Sequence, residues 1–222
     1  MNSSFTTLPA GAPEHALTCS STALLLIDMQ NDFCAKGGYI DTVMGKDVGA
    51  ADAIRSAVTR LLDAARAGGI PVIWIKADYS FQSIPAAMRK KLQQRGISAV
   101  CCEPGTWGAD WFCVKPQPGE AIVVKHAYSG FAGTQLDALL RRQNIDTLVF
   151  AGVQTQVCVE STVREAHSLG YMPIVAQDAV ASHTPALHEA SLANIRFLFG
   201  DTYPVDTIAA AWARPLSPTP TH

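Results

Sequence analysis

The sequence predicts an α/β protein, in which helices cover both faces of a doubly wound, mostly parallel six-stranded sheet to give three α/β/α layers. Two observations support this class. Short apolar runs rich in β-branched residues alternate along the chain with amphipathic runs of helical spacing, a pattern typical of parallel sheets with helical crossovers. The run 23–27 is apolar at every position, as expected for a strand that is covered on both faces.

The predicted strands are short apolar segments bounded by charges or turn residues. Asp28 and Lys125 each end such a run abruptly, and Pro71 is acceptable because it stands at the beginning of its strand. The predicted strands are residues 23–28, 70–75, 121–125, 148–153, 172–176 and 202–205.

Helical segments separate most of these strands. Residues 47–67 carry apolar residues on one face and end at Gly68 and Gly69, which are good helix terminators. Further helices are predicted at residues 84–94 and after Thr134, Cys158 and Thr184. The rest of residues 78–119 has no periodicity, and long loops of this kind often carry specificity.

Length and composition indicate one domain with a small-molecule partner. The 222 residues, 48% hydrophobic and 16% charged, suffice for one substantial core, which we place at 21–213. Residues 1–20, rich in Ser, Thr, Pro and Gly, predict a flexible arm, and 214–222 a Pro-rich tail. A net charge of -2 with thinly spread basic residues favours neither a nucleic-acid partner nor a membrane partner.

The first residues and the cysteines predict a cytoplasmic protein. Residues 1–21 carry no pattern of a secretory signal, and no apolar run approaches the length that spans a bilayer. The 6 cysteines have neither a C-x-x-C repeat nor the spacing of a zinc site, so we expect reduced thiols.

Cys158 has the position of a nucleophile. It follows the apolar strand 148–153 and a short turn, and it falls in the first turn of the next helix. There the unpaired backbone N–H groups and the positive end of the helix dipole favour an anion, so we expect the pKa of its thiol to be lowered. The alternative is a small buried hydrophobe, the ordinary role of a free cysteine.

Two further reactive groups stand at the ends of other strands. Asp28 and Lys125, like Cys158, lie at or just beyond the C-terminal end of a predicted parallel strand, so all three should emerge at one edge of the sheet. Each alone has an ordinary interpretation, as a turn cap, a surface lysine or a packing thiol. Together, an acid, a cation and a thiol indicate nucleophilic catalysis.

Three ordered motifs contain these residues. They are LLIDMQNDF at 25–33, VKHAYSGF at 124–131 and GVQTQVCVEST at 152–162, followed by Asp178 and Ala179. The motifs resemble those of the isochorismatase-like cysteine hydrolases, a family that includes nicotinamidases, biuret hydrolase and the N-carbamoylsarcosine and ureidoacrylate amidohydrolases. The resemblance covers roughly residues 20–200 and implies the same three-layer fold.

The resemblance implies a role for each member of this triad. Asp28 would accept the thiol proton, Lys125 would hold that carboxylate and stabilise the thiolate, and Cys158 would attack a carbonyl. A cis peptide between Val153 and Gln154 would aim the N–H groups of Gln154 and Cys158 at the oxyanion. Ammonia would leave with Asp28 as acid, and water would release the thioester. Family members are usually dimers or tetramers, so a homodimer or homotetramer is expected.

Differences within the family narrow the chemistry. True isochorismatases lack the nucleophilic cysteine, so Cys158 favours cleavage of an amide C–N bond. The zinc-dependent nicotinamidases have an Asp-x-His just after the second strand, where this chain has Asp78, Tyr79 and Ser80. We therefore predict no catalytic metal and no other cofactor.

The leading hypothesis for the substrate is a small ureido or N-carbamoyl compound, because the residues after Lys125 and around Cys158 look most like those of the ureido-cleaving members. The alternatives are a simple carboxamide, such as a maleamate or nicotinamide analogue, and a catalytically idle binding module. The candidate substrate-binding residues would supply hydrogen bonds to a planar urea group or apolar walls. They are Gln30, Phe33, Trp107, Tyr128 and Thr155.

Overall fold

The computed structural model of the protein describes Leu17 and residues 21–213. Apart from Leu17, the predicted arm 1–20 and the predicted tail 214–222 lie outside the described residues.

Six strands form one sheet, and every pairing between them is parallel. They are β1 Thr22–Ile27, β2 Val72–Ala77, β3 Ala121–Lys125, β4 Thr147–Val153, β5 Met172–Ala181 and β6 Asp201–Tyr203. Their order across the sheet is β3-β2-β1-β4-β5-β6, which confirms the predicted class. The strand order reverses between β1 and β4, the place where open α/β sheets bind their ligands.

Strand β5 is longer than predicted. The polar residues Gln177 and Asp178 suggested that the strand had ended, but it continues to Ala181. Its pairing with β4 shifts register just before Gly152, which lies opposite Val180. An irregularity of this kind accommodates extra residues in one strand, so the polar residues fit within β5 and its apolar pattern continues after them.

Helices cover both faces of the sheet. They are α1 Asn31–Cys34, α2 Tyr39–Thr42, α3 Gly49–Ala53, α4 Arg55–Ala67, α5 Ala86–Gln94, α6 Leu136–Arg142, α7 Glu160–Ser168, α8 Pro185–Asn194 and α9 Val205–Trp212. The predicted helix 47–67 is divided at Ile54 into α3 and α4. A single turn of π-helix, Thr155–Val159, leads from β4 into α7. None of the helices in the described residues is long and apolar enough to cross a membrane.

Alternate residues of β1 pack into two separate cores. Leu24 and Leu26 belong to the core that also contains Leu61 of α4. Ile27 belongs to the other core, which contains Val163 of α7. The sheet is therefore packed on both faces, as the continuous apolar run predicts.

Gly152 lets the ends of β1 and β4 lie close together. Its φ is +114°, and a Cβ atom at this position would collide with the carbonyl oxygen of Ile27. Only glycine accepts both the conformation and the contact. This close approach brings the turn after β4 beside Asp28, the residue that follows Ile27.

Candidate active site

Asp28, Lys125 and Cys158 meet at the C-terminal edge of the sheet. The Nζ atom of Lys125 lies 2.9 Å from Oδ2 of Asp28 and 3.4 Å from Sγ of Cys158. All three residues are buried, with exposed fractions of 0% for Asp28 and Lys125 and 4% for Cys158. The structure thus brings together the three residues that the strand ends predicted.

Lys125 reaches this point past an intervening strand. It ends β3, and β2 lies between β3 and β1, so its strand is not the neighbour of the one that carries Asp28. A four-carbon side chain is long enough to cross this gap. Its Nζ also donates to the carbonyl oxygen of Ala127 at 3.2 Å, which fixes the ammonium at the sheet edge.

The backbone at Asp28 turns sharply after β1. Its φ is +52°, in the left-handed region that residues other than glycine rarely adopt. The Asp28 N–H still donates to the carbonyl of Ile75 at 2.9 Å, while its carbonyl accepts the N–H of Gln30 at 2.7 Å. The turn ends the strand and leaves the carboxylate facing Lys125.

Tyr79 is a member of the site that the sequence did not single out. Its hydroxyl lies 2.6 Å from Nζ of Lys125 and 3.5 Å from Sγ of Cys158. The same hydroxyl donates to the carbonyl of Ala127 at 3.2 Å. Tyr79 follows the end of β2, so its position at the same sheet edge was the available signal.

Burial governs the protonation of the triad. It raises the pKa of Asp28 above its ordinary value, although the charge of Lys125 opposes this. Burial also disfavours the ammonium of Lys125, but the charge of Asp28 and the contact with Cys158 outweigh it, so the pKa of Lys125 is raised. Burial, together with the Asp28 carboxylate, raises the pKa of the Cys158 thiol to about 12.

This thiol pKa corrects the expectation drawn from the helix start. Cys158 lies in the π-helical turn before α7, where loss of water and the adjacent carboxylate outweigh the favourable helix dipole. Near neutral pH the thiol therefore keeps its proton. A nucleophile in this position needs a base, and Asp28 is the carboxylate that shares the Lys125 ammonium with the thiol.

The turn between β4 and Cys158 has the geometry that the family resemblance implies. The peptide bond between Val153 and Gln154 is cis. The side-chain oxygen of Gln154 accepts the N–H of His183 at 2.9 Å, and its amide nitrogen donates to the carbonyl of Phe33 at 3.4 Å. Both contacts hold Gln154 between neighbouring segments at the edge of the site.

A cavity of about 240 Å³ opens onto Cys158. Most of its walls are apolar or aromatic, which suits a small organic ligand held by few polar groups. The lining residues are Phe33, Tyr39, Ile40, Met44, Tyr79, Met88, Leu92, Arg95, Ile97, Ala99, Cys101, Tyr128, Gln154, Val157, Cys158 and His183. Phe33 and Tyr128 are thus the predicted substrate-binding residues that the structure brings to the cavity.

Gln30 is not part of the cavity wall. It is fully buried, and its amide nitrogen donates to the carbonyls of Ala77 and Ala109, each at 3.1 Å. Its side-chain oxygen accepts the N–H of Ala77 at 2.7 Å. Because these bonds occupy both ends of the amide, Gln30 supports the backbone around the site, which differs from the predicted contact with substrate.

Trp107 and Thr155 also lie outside the cavity wall. Trp107 is 53% exposed, and its backbone carbonyl accepts a hydrogen bond from Asn31 at 2.8 Å. Thr155 is buried, and its hydroxyl lies 2.9 Å from Nδ1 of His188 on α8. Both placements differ from the predicted substrate-binding role, because the Thr155 hydroxyl already bonds to His188 and the exposed Trp107 does not line the cavity.

One group of potential metal ligands occurs within the described residues, Asp32 with Cys101 and Cys102. The carboxylate of Asp32 already accepts the N–H of Cys102 at 2.6 Å and the N–H of Tyr39 at 3.1 Å. These bonds join two segments that line the cavity, and they explain why a partly buried aspartate lies there.

Residues 22–207 match the family model of the Isochorismatase domain. The chain belongs to the isochorismatase family. The ureidoacrylate amidohydrolase RutB of Methylorubrum extorquens is 36% identical over 221 residues, which cover 92% of this chain and 88% of that protein. The RutB of Serratia proteamaculans is 36% identical over 227 residues, which cover 96% and 91%.

Solved structures of this family share the fold. A cysteine hydrolase of Pseudomonas syringae pv. phaseolicola has a TM-score of 0.78 and 27% identity, covering 89% of this chain and 94% of that one. The N-carbamoylsarcosine amidase of Thermoplasma acidophilum has a TM-score of 0.67 and 26% identity, covering 84% and 97%. This isochorismatase-family chain is a hydrolase, and its similarity to amidohydrolases indicates C–N bonds other than peptide bonds as its target.

Proposed function

We propose that the protein is a cysteine-dependent amidohydrolase that cleaves a C–N bond of a small ureido or N-carbamoyl compound and releases ammonia. The observation that carries this proposal is the position of the Lys125 ammonium, 2.9 Å from the Asp28 carboxylate and 3.4 Å from the Cys158 sulfur. A cation in contact with both a carboxylate base and a thiol, beside a cavity, gives the groups that attack on a carbonyl requires.

The first half of the reaction forms an acyl-enzyme. Asp28 takes the thiol proton as the sulfur of Cys158 bonds to the substrate carbonyl carbon, whose π electrons move to the oxygen. The N–H groups of Gln154 and Cys158 are the proposed donors to that oxyanion. When the carbonyl reforms, the C–N bond breaks, and the proton held by Asp28 goes to the departing ammonia.

The second half releases the product. For a ureido substrate the intermediate is a thiocarbamate, the nitrogen-substituted counterpart of a thioester. Asp28 accepts a proton from water as the water oxygen attacks the carbonyl carbon, and the proton returns to the sulfur of Cys158 as the C–S bond breaks. Lys125 keeps its charge throughout and stabilises whichever of its two partners is anionic.

The relatives support the ureido part of the proposal. Two of them, each 36% identical over nearly the whole chain, are named for hydrolysis of ureidoacrylate. The cavity supports a small substrate, and Phe33 and Tyr128 are the proposed apolar walls beside the reacting group.

Ammonia release from a panel of compounds tests the substrate class. The panel contains ureidoacrylate, biuret and N-carbamoyl amino acids, with maleamate and nicotinamide as simple carboxamides. We expect turnover of at least one ureido compound. If all of them were inert while a simple carboxamide was hydrolysed, the ureido assignment would be wrong and the carboxamide alternative would replace it.

Substitution of the thiol tests the nucleophile. Cys158→Ser and Cys158→Ala should each lower kcat by about a thousandfold or more, because the covalent step is lost. Cys113→Ser is the matched control, since Cys113 is an exposed thiol outside the cavity wall. Retained activity in Cys158→Ala would contradict the mechanism, whereas an acyl adduct on Cys158 in mass spectrometry would support it.

Alkylation by iodoacetamide separates an enzyme from an idle binding module. Peptide mass spectrometry distinguishes label on Cys158 from background label on the exposed Cys113. We expect Cys158 to react in the wild type and to react more slowly in Asp28→Asn, which lacks the base. A Cys158 that is no more reactive than the buried Cys34 would favour the idle module.

A further inference from the structure

We propose that Arg95 is a specificity-determining residue that binds a carboxylate on the substrate, so that the enzyme acts on small ureido acids rather than on neutral ureas. This inference rests on the proposed function and names a chemical feature of its substrate. Arg95 follows α5 directly and lines the same cavity as Cys158.

The guanidinium of Arg95 is free to bind a ligand. Its backbone N–H bonds to the carbonyl of Leu92, but its side chain makes no hydrogen bond or ion pair with any described residue. Arg89, on the same helix, differs in this respect, because its Nη1 donates to the carbonyl of Phe81 at 2.7 Å. Arg95 is exposed, but it also lines the cavity, so its planar pair of donors is available to a ligand that enters there.

The charge of Arg95 is not compensated by the cavity wall. Neither Asp nor Glu is among the described residues that line the cavity. Burial lowers the pKa of His183, which keeps that side chain neutral near pH 7. Beneath the cavity floor, the opposite charges of Asp28 and Lys125 offset one another. The cavity therefore favours an anion.

Arg95 lies beside two of the aromatic walls. Its charge acts on the hydroxyls of Tyr39 and Tyr128 and opposes the rise in their pKa values that burial causes. Burial outweighs this effect, so the pKa of each phenol stays above its ordinary value. Both phenols are therefore neutral near pH 7 and do not compete as anions for the guanidinium. They are, instead, additional hydrogen-bond donors for an anion held by Arg95.

The size and apolar lining of the cavity limit the anion. A volume of about 240 Å³ must hold the ureido carbonyl at Cys158, the charged group at Arg95 and the linker between them. This volume requires a short linker. Leu92 and Ile97, close to Arg95 in sequence, line the same wall, so the linker is also apolar. A carboxylate on a chain of a few carbons satisfies these conditions, and it accepts two parallel N–H bonds from an arginine.

Steady-state kinetics with an acid and its neutral ester test this assignment. Ammonia release is measured with ureidoacrylate and with its methyl ester, for the wild type, Arg95→Gln and Arg95→Lys. Arg95→Gln should lower kcat/KM for the acid by about tenfold or more, mainly through KM, and leave the ester unchanged. Arg95→Lys should fall in between, because it keeps the charge but loses the paired geometry.

Lys91→Gln is the matched control. Lys91 lies on α5 and is exposed, as Arg95 is, but it does not line the cavity. Lys91→Gln changes the net charge by the same amount as Arg95→Gln. It should leave both substrates unaffected. Equal losses for acid and ester in Arg95→Gln, or equal losses for acid in Arg95→Gln and Lys91→Gln, would overturn the assignment.

A second readout does not depend on turnover of any ureido compound. Iodoacetate and iodoacetamide differ mainly in charge, and both alkylate thiols. The ratio of their rates at Cys158 should fall several-fold in Arg95→Gln and stay constant in Lys91→Gln. If the wild type hydrolyses no ureido compound, the proposed function fails, but a falling ratio would still support Arg95 as the anion-binding group. An unchanged ratio would overturn that role.

Discussion

The buried ammonium of Lys125 at the centre of the site is stabilised by the groups around it. A carboxylate or an ammonium without water is costly unless it is paired and hydrogen-bonded. Nζ of Lys125 contacts the Asp28 carboxylate, the Tyr79 hydroxyl, the Ala127 carbonyl and the Cys158 sulfur. Removal of any one partner would leave the lysine less well satisfied and would change the reactivity of the others.

The pH dependence of activity should follow the raised pKa of Asp28. The carboxylate must be charged to accept the thiol proton, so kcat/KM should fall as the pH is lowered through that pKa. Because burial raises the pKa above the ordinary 3.8, the decline should begin at a higher pH than for an exposed aspartate. The profile will report the coupled triad rather than one isolated group.

The measurement is kcat/KM for ammonia release across the acidic range, with circular dichroism to confirm that the protein stays folded. An activity that is constant down to about pH 4, the ordinary value for an aspartate, would contradict the assignment of Asp28 as base.

Tyr79→Phe should reduce catalysis without unfolding the protein. The substitution removes the hydroxyl 2.6 Å from Nζ of Lys125 and leaves the ring in place against Phe33. A hydrogen bond to a charged group contributes about 1.5–3 kcal/mol, so kcat should fall by about tenfold or more. The control is Tyr171→Phe, which removes a hydroxyl that bonds at 2.6 Å to Asp137 on α6 and does not line the cavity. Equal kcat values for both variants and the wild type would refute the role of Tyr79.

At the scale of elements, the site depends on how strands end. Asp28 turns out of β1 in a left-handed conformation, and β4 passes through Gly152 and a cis peptide before Cys158. The π-helical turn Thr155–Val159 then leads into α7. Irregular backbone therefore surrounds the reactive groups, while the regular parts of the same strands lie in the two cores.

Gly152→Ala should be strongly destabilising. The new methyl group would meet the carbonyl of Ile27 on β1, and the φ of +114° is unfavourable for alanine. We expect a loss of about 3 kcal/mol or more in the free energy of unfolding, measured by urea denaturation. Gly170→Ala is the control, since Gly170 also has a positive φ, of +91°, but a Cβ added there would meet no atom within 4 Å. Its loss should be about 1 kcal/mol, and similar losses for the two variants would contradict the steric argument.

Sequence patterns predicted the elements whose residues are buried together and failed where the position of a residue depends on distant contacts. β1 and β4 were evident because they are apolar throughout. The second half of β5 was missed, since Gln177 and Asp178 interrupt its pattern. Tyr79 and Arg95 lie in the stretch 78–119, whose path is set by long-range hydrogen bonds rather than by local periodicity.

At the scale of the whole molecule, apolar side chains remain exposed at one end of the sheet. Phe197 and Leu198 follow α8 and are 73% and 61% exposed. Exposed apolar patches often mark contacts between subunits. The homodimer or homotetramer stays a prediction, and this patch is the contact surface that we would test first.

Light scattering coupled to size exclusion should give a mass of two or four chains of 23.7 kDa. The melting temperature should also rise with protein concentration, because association stabilises the folded state by mass action. A monomeric mass together with a concentration-independent melting temperature would contradict the expected oligomer.

The amide of Gln30 has a consequence for how this enzyme tolerates insertions and deletions. It bonds to Ala77, the last residue of β2, and to Ala109, far along the connection that leads from β2 to β3. The Gln30 amide thus holds together the two ends of the segment 77–109. The free energy of closing such a loop depends only weakly on its length. Tyr79, which contacts Lys125, must be kept, but other residues between these two anchors can be gained or lost with little effect on Asp28 or Lys125. The wall that carries Arg95 can therefore diversify while the chemistry stays fixed.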